Sequence, residues 1–319
     1  MYWKIDKMVM RSIINKFCKP LGLIIAISTL PTNNLLSQVT VHVLGIAQDA
    51  GRPQAGCKKS CCVNNMGELR PFIKRTCLGI TLADNNSLLI EATPDLTSQW
   101  SLLSKLNNDI SPNSILITHA HVGHYTGLIN LGREAMNTNN INVFSGPRFI
   151  DFIKNNGPWD QLVKLNNIKL TEINEDKSIQ FSELKIRALD VPHRDEYSET
   201  YGYLFEGKMK TLLFIPDIDK WSKWDISIDS LIRKVDYAVL DGTFYGQSEL
   251  PNRDMSEIPH PFVSKSIEHW EKWDASEKTK IYFIHFNHSN PLFNSQSEEF
   301  ANVLKKGFHI AKTGMSFEL

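Results

Sequence analysis

A chain of 319 residues, 42% hydrophobic and 22% charged, has the composition of a globular protein with enough apolar material for a large core. Its 35 basic and 35 acidic residues cancel, so no charge bias points to a nucleic-acid partner or a membrane surface. The expected partner is a small-molecule substrate, and a homodimer is left open.

The first segment stands apart. Lys4, Lys7, Arg11, Lys16 and Lys19 make a basic start opposed only by Asp6, and an apolar run follows over Leu21–Leu30. A spanning helix needs about 20 apolar residues, so this run is short for one. With the small Ser37 after a polar stretch, residues 1–37 read as a signal peptide cut near Ser37–Gln38. The mature chain, 38–319, is then exported to a periplasm or beyond, with no membrane contact after cleavage. An uncleaved anchor or a misplaced start is the other reading.

Val39–Leu44 alternates and is β-branched, which predicts a strand. A loop rich in Gly, Pro and Cys follows. Leu78–Leu82 and Ser87–Ile90 predict a hairpin turning at Asp84-Asn85-Asn86. Pro94–Leu106 predicts a helix with Leu96, Trp100 and Leu103 on one face. Ser114–Thr118 is a short apolar strand that stops at His119. Tyr125–Met136 reads as a helix, and Asn142–Phe144 as a strand. Residues 159–190 suggest further strands, notably Leu184–Leu189. Thr211–Ile215, Tyr237–Leu240 and Ile281–Ile284 are apolar strands ending at Pro216-Asp217, Asp241 and His285. Apolar strands that repeatedly end on His or Asp are how α/β folds set reactive groups on a rigid base. One domain from about 38 to 319 is the simplest reading.

His119, His121 and His124 fall within six residues, between a buried-type strand and a helix. Neutral imidazole is the commonest metal ligand and suits Zn, Mn or Fe. A loop leaving a strand can turn His119 and His121 toward one ion, and His124 toward a second.

The run Thr118-His119-Ala120-His121-Val122-Gly123-His124, followed by Tyr125-Thr126-Gly127-Leu128, resembles the His-x-His-x-Asp-His signature of the metallo-β-lactamase superfamily. The resemblance implies an αββα sandwich with metals at one edge. It implies His193 as the third histidine of the first metal, Asp217 as the bridging carboxylate and His285 as a ligand of the second. Within the superfamily the chain is similar to the pyrroloquinoline-quinone biosynthesis B family and to the carbon–phosphorus-lyase-associated cyclic phosphodiesterases. That likeness runs over about 39–319. It includes Gly45 with a loop to Pro53-Gln54, the cysteine group, Pro94-Asp95, Asp241-Gly242-Thr243, Asn290-Pro291 and the ending Gly314–Leu319.

One departure matters. Gly123 stands where the signature has its aspartate, which leaves the second metal one ligand short. Asp49, in Gln48-Asp49-Ala50-Gly51, and Asp95 are the candidate replacements; both also suit ordinary turn aspartates.

Cys57, Cys61 and Cys62 lie close together, and Cys77 stands apart. Three thiolates and His288 would complete a tetrahedral structural zinc site. The resemblance to the phosphodiesterases supports this, although the spacing differs and adjacent Cys61 and Cys62 are expected to point apart. A disulfide, for instance with Cys77, is the other reading in an exported protein. Asp241 is either an acceptor that orients a ligating histidine or a turn former. Arg194 either clamps an anionic substrate group or forms a surface ion pair. Trp159, Trp221, Trp224 and Trp270 are expected to pack, and His42 to be structural. His260, His269 and His309 are not expected at the site.

The expected activity is hydrolysis by metal-activated water, with Asp217 and Asp49 as the acidic groups and a phosphodiester or small ester-like substrate. No Gly-x-Ser-x-Gly nucleophile motif is present. An iron-dependent oxygenase of quinone-cofactor biosynthesis and a non-catalytic metal carrier are the rival readings.

Overall fold

The computed structural model describes residues 39–63, 72–194, 196–250 and 253–319, so the expected signal peptide lies outside the described residues. Among the described residues no helix is long and apolar enough to cross a membrane. The strands are β1 (Thr40–Gly45), β2 (Cys77–Thr81), β3 (Ser87–Ile90), β4 (Ser114–Leu116), β5 (Ile141–Ser145), β6 (Ile168–Glu172), β7 (Ile179–Phe181), β8 (Leu184–Asp190), β9 (Tyr201–Glu206), β10 (Thr211–Ile215), β11 (Tyr237–Asp241), β12 (Ile281–Ile284), β13 (His309–Ile310) and β14 (Ser316–Glu318). They form two seven-stranded mixed sheets, ordered β14-β1-β2-β3-β4-β5-β6 and β13-β12-β11-β10-β9-β8-β7. Helices cover the outer faces, which gives the αββα sandwich.

Side-chain alternation builds the layers. On β1, Val41 and Val43 face the interior between the sheets, while Leu44 turns to the helix side. On β3, Leu88 and Ile90 face inward, and Leu89 packs outward with Leu96, Trp100 and Leu103 of the helix Leu96–Leu106. On β10, Leu212 and Phe214 face inward. Leu213 and Ile215 pack outward against Ile232, Val263 and Trp270 from the helices Ile228–Lys234 and Val263–Trp270. Each such buried aliphatic or aromatic side chain contributes about 1.5–3 kcal/mol relative to exposure. Strand β8 shows the same period at the sheet's far side: Leu184, Ile186 and Ala188 are buried, Lys185 and Arg187 exposed.

Strand direction decides where chemistry collects. Parallel pairing makes β3, β4, β5 and β6 run together, and likewise β10, β11, β12 and β13. Strand β1 joins the first set through antiparallel β2, and β8 joins the second through antiparallel β9. The carboxyl ends of β1, β3, β4, β8, β10, β11 and β12 therefore carry Asp49, Glu91, His119, His193, Asp217, Asp241 and His285 or lead directly to them. The two sheets are stitched at this edge, where Tyr201 N donates to Thr118 O at 3.0 Å and the Tyr203 hydroxyl to Ile117 O at 2.6 Å.

Two local expectations differ from the structure, and one strand carries no expectation. The helix expected over Tyr125–Met136 is one α turn, Val122–Tyr125, followed by a 3-10 turn, Thr126–Leu131. Gly127 causes the close approach: a Cβ there would meet Thr93 O at 1.9 Å, so the chain hugs the end of the neighbouring strand instead of winding on. Residues 159–190 open with a helix, Trp159–Lys164, before the strands begin. Strand β9, which the sequence reading did not single out, is buried over five of its six residues and completes the second sheet.

Candidate metal centre

Asp49, His119, His121, His124, His193, Asp217 and His285 meet at this edge in two groups. His119, His121, His193 and Asp217 each offer a ligand atom within 4.8 Å of the others, and so do Asp49, His124 and His285. Asp217 joins the groups. Its Oδ1 lies 3.2 Å from His193 Nε2, and its Oδ2 lies 3.5 Å from His119 Nε2, 3.7 Å from His124 Nε2 and 3.8 Å from His285 Nε2. The side chains of His119, His124, His193 and His285 are each 1% exposed.

Buried polar atoms are ordinarily paired, and these are not. Asp49 Oδ1, both ring nitrogens of His124 and His193, Asp217 Oδ1 and His285 Nε2 are buried without a hydrogen-bond partner. Such a set in one pocket fits a cation and would be costly without one.

Two relays fix which nitrogen faces the pocket. Thr118 Oγ1 donates to Glu91 Oε1 at 2.6 Å, so it accepts from the His119 Nδ1–H, 2.9 Å away. Thr243 Oγ1 donates to Asp241 Oδ1 at 2.7 Å and accepts from the His285 Nδ1–H at 3.0 Å. Both relays put the proton on Nδ1 and turn the Nε2 lone pair toward the pocket, where His119 Nε2 lies 2.8 Å from His121 Nδ1; this is the task that partners beyond the ligands perform in metal sites. Glu91 also places Oε1 3.1 Å from His124 Nδ1. Glu91 and His285 sit at φ 84° and 67°, a left-handed backbone that costs non-glycine residues about 1–3 kcal/mol and gathers at functional sites.

The place of the missing signature carboxylate is filled from elsewhere. A Cβ on Gly123 would lie 2.2 Å from Asp49 Oδ1 and 2.5 Å from Asp49 Cα. Asp49 occupies the room that glycine leaves, with Oδ1 3.1 Å from His124 Nε2. Its loop is held on two sides. Gln48 N donates to Phe286 O, and Arg75 donates to the carbonyls of Asp49 and Ala50 at 2.8 and 3.0 Å. Asp95, the other candidate, is engaged by Arg75 at 3.2 Å and does not enter the site.

The charges respond to crowding. Burial, then the neighbouring histidines, pulls His119, His193 and His285 down, which favours the neutral ring, the form in which a histidine can bind a metal. Burial also opposes protonation of His124, but Glu91 and Asp49 on its two sides outweigh it and raise that ring. Burial opposes ionisation of Asp49, yet the approach of His124, His285 and His121 holds its carboxyl well below the usual range. Burial, with Asp241 nearby, pushes Asp217 up. A cation placed between its oxygens would reverse that shift.

His260 was set aside in the sequence reading and belongs here. Its Nδ1 lies 2.9 Å from Asp241 Oδ2 and 3.2 Å from Asp217 Oδ1, and its ring centroid is 5.5 Å from that of His193. Burial lowers its affinity for a proton, but the two carboxylates raise it to about 9. It follows no strand directly, so the strand-end signal could not find it. Asp241 is an acceptor for Thr243, Ile218 N and His260, which reaches the ligand His285 only through Thr243. Arg194 is exposed, with NH1 3.9 Å from Glu196 Oε1, and stands outside both ligand groups.

The second cluster is Cys57, Cys61, Cys62 and His288, again within 4.8 Å of one another. The one-turn helix Ser60–Val63 turns adjacent Cys61 and Cys62 toward a shared point, against the expectation that they diverge. The Cys57–Cys61 and Cys61–Cys62 sulfurs are 4.0 Å apart. Tetrahedral zinc with Zn–S bonds of about 2.3 Å sets S···S near about 3.8 Å, so the cluster fits that ion. His288 Nδ1–H donates to Asn287 Oδ1 at 3.1 Å, which leaves Nε2 free. Burial and the two neighbouring thiols push Cys61 up to about 11. Cys77 is a free thiol fully buried in the helix-side core, so it takes no part in a disulfide.

A two-sheet α/β sandwich with histidines and carboxylates gathered at strand ends on one edge defines the metallo-β-lactamase class of fold. A family model described as Beta-lactamase superfamily domain matches residues 86–286, and the chain belongs to that family. Coenzyme PQQ synthesis protein B of Pseudomonas putida is 24% identical over 310 residues, covering 88% of this chain and 99% of the relative. Zn(2+)-bound PqqB from Methylobacterium extorquens shares the fold with a TM-score of 0.72 at 21% identity, over 88% of this chain and 100% of that one. A diphosphatase from the PhnP family superposes with a TM-score of 0.62 at 22% identity, over 88% and 97%. Asp49 and the three clustered cysteines lie ahead of the family-matched segment.

Proposed function

We propose that this protein is a metal-dependent hydrolase of a small phosphodiester or ester-like substrate, with two metals at the strand-end site and one structural zinc at the cysteine cluster. The observation that carries the reading is the set of buried ligand atoms, most of them unpartnered, that converge from both sheets in two groups on either side of Asp217, whose Oδ2 lies 3.7 Å from His124 Nε2 and 3.8 Å from His285 Nε2. His119, His121, His193 and Asp217 would hold one ion; Asp49, His124, His285 and Asp217 would hold the other. Two divalent ions in such a site polarise the scissile group and supply a water nucleophile at neutral pH.

The chain's own residues do the rest. Glu91 and Asp241, through Thr118 and Thr243, hold the His119 and His285 rings with Nε2 toward the pocket in which the ions would sit. We assign His260, held by Asp241 at 2.9 Å and 3.2 Å from Asp217, as the candidate proton donor to a leaving oxygen.

Elemental analysis of the purified protein, followed by a screen of cyclic and aryl phosphodiesters, lactones and β-lactams, tests the reading. Turnover of one of these classes, lost in His119→Ala together with metal, is the expected result. Tightly bound iron with oxygen consumption and no hydrolysis would instead favour the oxygenase.

The cysteine cluster has a separate test. Cys57→Ala is expected to remove one zinc per chain and lower the melting temperature by several degrees, with strand-end metal content retained. For domains of this size about 1 kcal/mol shifts the midpoint by roughly 2–4 °C. An unchanged zinc count would overturn the structural-zinc assignment.

A further inference from the structure

The cysteine cluster and the strand-end pocket share two loops. Asp49 and Cys57 lie eight residues apart on the loop that leaves β1, and His285 and His288 lie three apart on the loop that leaves β12. The strand-end group of Asp49, His124 and His285 therefore draws two of its three members from the loops that the cysteine cluster joins. His119, His121 and His193 of the other group stand on loops that carry no member of that cluster.

The two loops run side by side from one site to the other. Near the strand ends, Gln48 N donates to Phe286 O at 2.8 Å and Phe286 N to Ile46 O at 2.9 Å. Toward the cysteines Arg52 is the crosspiece. Its Nε donates to Cys61 O at 3.2 Å, and its guanidinium lies 4.5 Å from the centre of the Phe293 ring. Gln54 N donates to Cys62 Sγ at 3.3 Å. On the other loop, Asn287 accepts from His288 Nδ1 and donates its own N–H to Thr243 O, and the Thr243 hydroxyl holds the His285 ring. The left-handed backbone at His285, φ 67°, persists only where the surrounding structure imposes it. A four-ligand zinc is a closed joint whose binding energy is shared with the fold that supplies its ligands. Held by three thiols of one loop and the imidazole of the other, it closes a ring that runs through Asp49, the strand-end pocket and His285.

We infer that zinc at the cysteine cluster positions Asp49 and His285 and so sets the affinity of the second strand-end ion, while the first ion is indifferent to it. Cys57, Cys61, Cys62 and His288 are then positioning residues for the metal pocket as well as supports of the fold. This rests on the two-ion reading of the strand-end pocket and is independent of the substrate.

Competition with a graded chelator on the metal-loaded full chain gives each bound ion its own affinity, and Asp49→Ala marks the second ion as the one it weakens. Cys57→Ala is expected to lose the cluster zinc and to weaken the second ion by about ten-fold or more, with the first ion within about two-fold of the parent. At saturating metal both strand-end ions remain. His288→Ala, which removes the fourth ligand and keeps the thiols, is expected to do the same, so the test survives poor folding of either variant. Ile232→Ala controls for simple loss of stability. It opens a cavity under the helix Ile228–Lys234, which leads to the amino end of β11, away from the pocket. It is expected to lower the melting temperature without moving either ion's affinity. Loss of the cluster zinc with the second ion held as tightly as before overturns the inference. Equal weakening of both ions, or weakening of the second ion in Ile232→Ala as well, overturns it too, because the cluster then acts only through general stability. A parent protein that holds a single strand-end ion faults the two-ion reading itself, and the coupling falls with it.

Discussion

Asp217→Asn is expected to lower turnover by more than 10³-fold and to reduce metal content at both halves of the site. The reason is geometric. Among the described residues, Asp217 is the one side chain whose oxygens face both ligand groups, Oδ1 toward His193 and Oδ2 toward His119, His124 and His285. Asparagine keeps the shape but removes the charge and one acceptor oxygen, so each ion loses a shared anion in a pocket where burial magnifies the loss. Asp241→Asn makes the comparison informative. Asp241 belongs to neither histidine-rich group; it gathers with Asp217 and His260 beside them and holds Thr243 and His260. Changes at such supporting positions typically cost about 10–100-fold in metal affinity or activity. Turnover is measured on metal-saturated protein and occupancy by elemental analysis after dialysis. Comparable losses in the two variants would overturn the bridging role of Asp217.

Gly123→Ala, the smallest change that adds a side chain, is expected to impair the second metal as severely as Asp49→Ala. The new Cβ would lie 2.2 Å from Asp49 Oδ1 and 2.5 Å from its Cα, both far inside contact distance. The backbone at Asp49 cannot yield freely, because Arg75 grips its carbonyl and Gln48 is paired to Phe286. The expected outcome is a second-site affinity weaker by about 100-fold or more, the upper range seen when a metal's supporting groups are removed. Since both changes act by displacing one carboxylate, the double variant should be scarcely worse than either single one. Gly123→Asp should not rescue Asp49→Ala, because the Cα clash remains. Full retention of metal in Gly123→Ala, measured by competition with a chelator, would sink the account.

Much of this was legible in the chain. Strand β4 runs straight into His119, β10 into Pro216-Asp217 and β12 into His285, so a short continuous apolar run followed by His or Asp marks three arms of the site. What that pattern could not show is what arrives sideways. His260 comes from a loop with no strand before it, and its role rests on Asp241 and Asp217, far away in sequence. Glu91 reads as the polar end of a hairpin strand, and only its contacts with Thr118 and His124 reveal that it orients two ligands. Asp49 was visible as one of two aspartates able to replace the lost carboxylate. Choosing between it and Asp95 needs three-dimensional information, namely that Arg75 has taken Asp95. The single turn at Val122–Tyr125 was over-read as a long helix because periodicity carries no information about the close backbone contact at Gly127.

The candidate ligands are divided between the sheets. Asp49, His119, His121 and His124 follow strands of one; His193, Asp217 and His285 follow strands of the other. Any ion bound by both groups is therefore a fastening across the mouth of the sandwich, and its binding energy is also cohesion between the two halves of the fold. Catalytic metal affinity and resistance of this edge to opening are then one quantity. A sequence change that loosens either sheet's strand ends is felt as weaker metal retention long before the core itself gives way.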